Sequence, residues 1–218
     1  MNEDQITARL DIGRIIMVPL CAYVVLNNLF SIYRGLRLTL PSDAIGLLSS
    51  INAVLVTSFY ALVVTQYVLR PAARRTSRSF TTNAIAVIAS LLPLALVASA
   101  GNVRTGVVLA VSGAVIGIAG LVFSVYSLRI LGRSFSVIPQ ARVMVMNGPY
   151  KYLRHPLYTA EIVTMAGFVL AHPSVRAAVI LVAFVLLQLY RAVCEETILV
   201  NTFPAYKDYV STTHRFIP

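Results

Sequence analysis

The sequence predicts an all-α integral membrane protein of about six transmembrane helices, the last two a helical hairpin, with a cytosolic C-terminal cap. Three observations predict it. Of the 218 residues, 58% are hydrophobic and only 12% are charged, whereas a soluble domain carries about 25% charged residues. Crossing a bilayer takes roughly 20 apolar residues, and such runs recur along the chain. Lys and Arg gather in alternate loops, the pattern that sets membrane orientation.

The first four spans are expected at 12–32, 44–69, 83–100 and 105–128. Shorter ones follow at 157–172 and 175–194, separated by Ala171-His172-Pro173-Ser174. At about 1.5 Å per residue the fifth is just long enough to span. Arg70, Arg74, Arg75 and Arg78 follow the second span, and Arg129, Arg133, Arg142, Lys151 and Arg154 follow the fourth. The third-to-fourth loop has only Arg104, and the hairpin turn has His172 with Arg176 just after it. Both basic loops and both termini are therefore expected in the cytosol, with Arg34 and Arg37 as exceptions to the pattern. The fourth span carries Gly113, Gly117 and Gly120. That spacing allows close helix approach in lipid, but a generic glycine-rich span fits equally well. Residues 1–128 are read as N-terminal transmembrane helices and 129–218 as the functional region, all in one membrane domain.

The net charge is +10. The arginines lie between apolar runs, so membrane lipid headgroups are the expected counter-charge, and no nucleic-acid partner is expected. Cys21 and Cys194 sit in apolar runs and read as small core residues. Met1 to Leu10, with Glu3 and Asp4, lacks the basic start of a removed signal peptide. His155, His172 and His214 are too scattered for a metal site, and no Walker loop, dinucleotide fingerprint or Gly-x-Ser-x-Gly elbow occurs.

Two polar clusters remain. One is Gly148-Pro149-Tyr150-Lys151-Tyr152-Leu153-Arg154-His155-Pro156-Leu157-Tyr158. Tyrosines and basic residues are common membrane-interface anchors. Here, however, Pro156 suits the first turn of a helix, which would put His155 among unpaired N–H groups at its positive end. That environment favours a neutral imidazole able to accept a hydrogen bond, and it suits an anionic ligand group. The other cluster is Arg191 with Glu195 and Glu196. Arg191 and Glu195 at i,i+4 fit a plain helix-surface pair, yet charges beside an apolar run are expensive unless paired or functional. Neighbouring carboxylates point about 100° apart on a helix, so one of them is free to meet something else.

In order along the chain, Leu131-Gly132-Arg133-Ser134-Phe135-Ser136, Gly148-Pro149-Tyr150, Arg154-His155-Pro156-Leu157-Tyr158, Glu195-Glu196 with Leu199, Phe203, Tyr206 and Tyr209, and Arg215-Phe216-Ile217-Pro218 resemble the isoprenylcysteine carboxyl methyltransferases. The wider superfamily includes enzymes that methylate phospholipid amines. The resemblance covers 129–218. It implies S-adenosyl-L-methionine as methyl donor, giving S-adenosyl-L-homocysteine, bound in a cytosol-facing pocket. It implies donor-binding roles for His155, Pro156, Leu157, Tyr158 and Glu195, with Tyr150 nearby. Gln140, Val143, Met144 and Val145 are matched through a shorter loop. It implies a substrate-side role for Arg191, with Arg154 as a second candidate to orient an acceptor carboxylate. For an amine acceptor, Glu196 or a water would take the proton. Ala160 and Pro204 stand where the family usually has glycine.

The expected activity is methyl transfer to an isoprenylcysteine-like carboxylate or another lipid-borne group. The lipid or prenylated small-molecule or protein acceptor would enter from the bilayer of a prokaryotic cytoplasmic membrane. Alternatives are a phospholipid amine N-methyltransferase, an NADPH-dependent membrane reductase and a non-enzymatic membrane scaffold.

Overall fold

A computed structural model describes residues 12–38, 44–77, 79–99 and 105–217. Its helices are α1 (Ile12–Leu38), α2 (Ala44–Leu69), α3 (Phe80–Ala98), α4 (Val107–Leu131), α5 (Pro156–Ala171), α6 (Val175–Thr202) and α7 (Tyr206–Thr212). Two-residue strands β1 (Arg75–Thr76) and β2 (Gln140–Ala141) pair antiparallel, with Arg75 opposite Ala141 and Thr76 opposite Gln140. The protein is an all-α integral membrane fold. Among the described residues, five helices are long and apolar enough to cross a membrane: α1, α2, α3, α4 and α6. Helix α5 is apolar but has 16 residues, about 24 Å of rise. The expected acidic N-terminal segment, Arg78 and Arg104 lie outside the described residues, as does the side chain of Arg37.

Local chemistry sets the helix ends. The Ser79 hydroxyl accepts from the Thr82 N–H and caps α3, and Ser174 caps α6 through the Ala177 N–H. Gly132 ends α4 with φ +55°, a conformation that L side chains rarely adopt. Pro156 occupies the first turn of α5, as its sequence predicts. The last helix is longer than expected. Helix α6 runs to Thr202 and not 194, and the side chains of Thr197, Asn201 and Thr202 satisfy their polar groups on carbonyls one turn back inside it. Glu195 and Glu196 are therefore helical residues held in fixed directions.

The hairpin expected from the last two apolar runs is present in connectivity, through the short turn at 172–174. Its main packing is elsewhere: α5 lies chiefly on α4, and α6 lies on α3. Small residues decide this. A Cβ added at Gly120 would come within 2.6 Å of the Thr164 backbone nitrogen, and one at Gly167 would collide with the Gly117 backbone. The glycine stripe of α4 is thus a specific packing face, and van der Waals contact between close backbones replaces the hydrophobic drive that lipid does not supply.

One end of the bundle gathers the polar segments. Arg14 Nε near the start of α1 donates to the Tyr67 carbonyl at 2.8 Å, near the end of α2. The following loop reaches the α4–α5 connection through β1–β2. Arg75 Nη1 donates to the Asn201 carbonyl at 3.3 Å, and the Arg74 guanidinium lies over the Phe203 ring. Both basic loops and the C-terminal segment therefore lie on the same side, as the Lys/Arg pattern predicts.

Candidate functional site

The α4–α5 connection is held by three anchors. The Tyr67 hydroxyl accepts from the Val137 N–H at 2.9 Å, Arg70 Nη1 donates to the Phe135 carbonyl, and Arg142 donates to the Pro71 carbonyl. Gln140 is fixed through its side-chain oxygen, which accepts from Ser136 at 3.0 Å and from Arg142 Nη2 at 2.6 Å. That leaves its NH2 group as a donor. Ser134 ties down the Val143 carbonyl at 3.0 Å.

The chain end holds the next stretch. Arg154 N–H donates to the His214 carbonyl at 2.7 Å, and His155 N–H donates to the Arg215 carbonyl at 3.2 Å. The Phe216 and Tyr158 rings stack on His155. The Tyr209 hydroxyl donates to the Tyr150 carbonyl at 2.6 Å. Burial pushes the Tyr209 hydroxyl up to about 12, so it remains a donor at neutral pH.

These segments enclose a cavity lined by Gln140, Val143, Met144, Val145, Tyr150, Arg154, His155, Leu157, Tyr158 and Glu195. Residues from three separate stretches thus meet in one place. Pro156 is buried behind the wall and shapes the turn. The Tyr150 hydroxyl is buried with no hydrogen-bond partner among the described residues. Burial keeps it protonated by raising its pKa well above the ordinary value, so it is a donor in want of an acceptor. Tyr158 donates to the Glu195 carboxylate, and Arg191 Nη2 stands 3.9 Å from the same group.

The neighbouring carboxylate points the other way. Glu196 binds Arg154 Nη1 at 3.2 Å, Arg215 Nη2 at 2.6 Å and His155 Nε2 at 3.1 Å. It does not line the cavity. A carboxylate only accepts, so His155 donates from Nε2, and the sequence expectation of an accepting imidazole is corrected at that nitrogen.

Arg191 is 4% exposed and faces a second, larger space. This cavity of about 950 Å³ runs among the spans and is lined mainly by apolar side chains from α1 to α6. Phe135 and Tyr158 line both cavities and form the partition between them. Glu161 and Gln188 were absent from the sequence-derived site. Gln188 Nε2 donates to Glu161 Oε2 at 2.6 Å, and Arg191 Nη1 donates to Gln188 Oε1 at 2.8 Å. The available signal was a lone acidic residue inside an apolar helix, since intramembrane ionisable residues are functional candidates by default.

Residues 108–201 match the model of the isoprenylcysteine carboxyl methyltransferase (ICMT) family. The match covers less than half of the chain. A solved structure of the eukaryotic intramembrane Ras methyltransferase ICMT superposes with a TM-score of 0.52 over 91% of this chain and 74% of that one, at 20% identity. That likeness concerns the fold. A nickel-cobalt-cadmium resistance protein, NccN, of Alcaligenes xylosoxydans xylosoxydans is 37% identical over 78 residues, which is 34% of this chain and 36% of that relative. The chain therefore matches only about a third of the length of this curated relative.

Proposed function

We propose that the protein is an S-adenosyl-L-methionine-dependent methyltransferase acting on a lipid-borne acceptor. The observation that carries this reading is the meeting of two cavities at Tyr158, one at the end of the bundle with charged and polar side chains on its wall and one mainly apolar among the spans. A water-soluble donor and a lipid acceptor would each reach the partition from their own phase.

The residues present fit the donor. Among the described residues the Tyr150 hydroxyl is a donor without an acceptor, the Gln140 NH2 group can donate beside it, Glu195 offers a carboxylate to an amino group, and Val143, Met144, Val145 and Leu157 give apolar contact. When bound, the donor supplies a methyl group on a sulfonium leaving group. The protein's part is to hold the partners in line and exclude water, and positioning alone contributes about 7–11 kcal/mol to such reactions. Tyr158 and Arg191 would hold Glu195 in one orientation. Arg191 would orient an acceptor carboxylate of the isoprenylcysteine kind, with Arg154 at the rim of the donor cavity. Glu196 would position His155 and the chain end. A second reading, an amine acceptor, is favoured by one observation: Glu161 places a carboxylate on the wall of the lipid-side cavity. The active site would face the cytosol, because the basic loops surround it.

The test is thermal unfolding of the detergent-purified protein with S-adenosyl-L-homocysteine, with NADPH as control. A ligand at 100 times its Kd adds about 2.7 kcal/mol, and a shift with S-adenosyl-L-homocysteine alone is expected. A shift with NADPH alone would favour a reductase, and no shift with either would favour a scaffold.

A further inference from the structure

Two side chains of opposite charge on the wall of the inter-span cavity have hydrogen-bonding capacity left over. Arg191 is 4% exposed. Its terminal nitrogens donate to Gln188 Oε1 at 2.8 Å and to the Val137 carbonyl at 3.1 Å, but among the described residues its Nε–H has no partner. Glu161 is the one charged residue of α5. Its Oε2 accepts from Gln188 Nε2 at 2.6 Å, and among the described residues it has no other hydrogen bond. Both residues line the cavity. Buried polar groups are nearly always paired, so an open N–H on a cation and a half-used carboxylate point to a ligand with an acceptor and a donor of its own.

Gln188 sets their spacing. An arginine only donates and a carboxylate only accepts, so the amide oxygen faces Arg191 and the NH2 group faces Glu161. Gln188 is 0% exposed, and the packing around it keeps it in place. Cation and carboxylate are thereby held one amide group apart, a gap that the carboxylate and the ammonium of one α-amino acid can bridge.

Helix geometry decides which end meets the donor. The Arg191 guanidinium lies 4.7 Å from the centre of the Tyr158 ring, and Tyr158 belongs to the partition. Glu161 follows Tyr158 by three residues on α5, and Gln188 precedes Arg191 by three on α6, so both stand about one turn deeper among the spans. A carboxylate on Arg191 therefore lies against the donor cavity, and an ammonium on Glu161 lies away from it. Glu195 is matched by the donor's own amino group, which leaves Arg191 and Glu161 as the pair for the acceptor.

We propose that the acceptor is a free α-amino acid with a hydrophobic tail on its side chain, its carboxylate on Arg191 and its unacylated ammonium on Glu161, and that the methyl group goes to the carboxylate. This rests on the methyl-transfer reading above and makes Glu161 a specificity residue. An acylated nitrogen, as in a peptide chain, has no positive charge and adds a carbonyl oxygen beside the Glu161 carboxylate. In the transfer a carboxylate oxygen forms the O–CH3 bond as the donor's S–CH3 bond breaks. The bonding pair stays on sulfur, leaving a neutral thioether and a methyl ester, and no proton moves.

The experiment follows tritium from S-adenosyl-L-[methyl-3H]methionine into three acids with the same tail, in neutral detergent. S-farnesyl-L-cysteine has a free ammonium, N-acetyl-S-farnesyl-L-cysteine has an amide, and S-farnesyl-3-mercaptopropionic acid has no nitrogen. Methyl esters are read as methanol released by base. S-farnesyl-L-cysteine is expected to show a kcat/KM at least about tenfold above each of the others, equivalent to about 1.4 kcal/mol. Glu161→Gln removes the charge and keeps the shape. It is expected to raise KM for S-farnesyl-L-cysteine more than it lowers kcat, and to bring the ratio of free to acetylated acid toward one. That ratio is insensitive to partial loss of folded protein, and a thermal shift of the variant with S-adenosyl-L-homocysteine reports a folded donor site. The wild-type comparison decides the matter even where the variant does not fold. An equal or faster rate with the acetylated acid in the wild type would overturn the proposal, as would an unchanged ratio in Glu161→Gln or label found mainly in base-stable product. Labelling of no probe by a protein that shows the shift would overturn it alone, whereas absence of the shift in the wild type would overturn the methyl-transfer reading with it.

Discussion

The first three helices and the region from α4 onward are held by different physics. Helices α1 to α3 carry their polar side chains mostly as local bonds back to their own carbonyls, as at Thr57, Ser58, Thr65 and Ser90. Large apolar side chains such as Leu26, Phe30, Leu47 and Ile88 stay exposed on their outer faces, where lipid is the solvent. From α4 onward, close backbone packing and long-range polar bonds dominate. Glu196 alone ties together the loop before α5, α6 and the chain end. A helix solvated by lipid gains little from burying more hydrocarbon, so rigidity must come from packing geometry and from hydrogen bonds. The protein concentrates both around the two cavities.

The contrast can be broken most severely at Gly167. Its Cβ position is occupied by the Gly117 backbone, so Gly167→Leu should cost about 3 kcal/mol or more through overpacking. Thermal unfolding should show this, while Gly106→Ala, with nothing within 4 Å of the added atom and only an N-cap preference to lose, should shift the midpoint far less. A second test removes the ionic tie. Glu196→Gln should cost about 2 kcal/mol, because charged hydrogen bonds to Arg154 and Arg215 are lost, and limited proteolysis should then cut the chain end sooner. Equal protease resistance would remove Glu196 from its clamping role.

Glu195→Gln sharpens the comparison within one helix turn. It should weaken S-adenosyl-L-homocysteine binding about tenfold, or about 1.4 kcal/mol, with less loss of stability than Glu196→Gln, as read by titration calorimetry and thermal unfolding. The smallest effect belongs to the lipid-facing surface. Val108, 82% exposed on α4, should tolerate alanine within about 0.5 kcal/mol, with no change in ligand binding.

Much of this was legible in the residues. The helix N-terminus at Pro156 and the two directions of Glu195 and Glu196 follow from local geometry, which sequence spacing encodes. The partners of Glu196 did not follow, because Arg154 and Arg215 lie 42 and 19 residues away along the chain. The role of α5 was also hidden. Its tight fit on α4 depends on which small residues face one another, and helical spacing names a face without naming its partner.

Composition and the placement of the apolar runs determined that the chain lives in a bilayer and roughly where its spans lie, since transfer into hydrocarbon depends on the side chains of each segment separately. It also determined which end gathers the basic loops. Only the tertiary structure decided that Glu161, Gln188 and Arg191 join into one relay at the wall of an apolar cavity. Hydrogen-bond energies fall off within fractions of an ångström, so such a site exists only when α5 and α6 are packed in one register, and that register is set by contacts with α3 and α4.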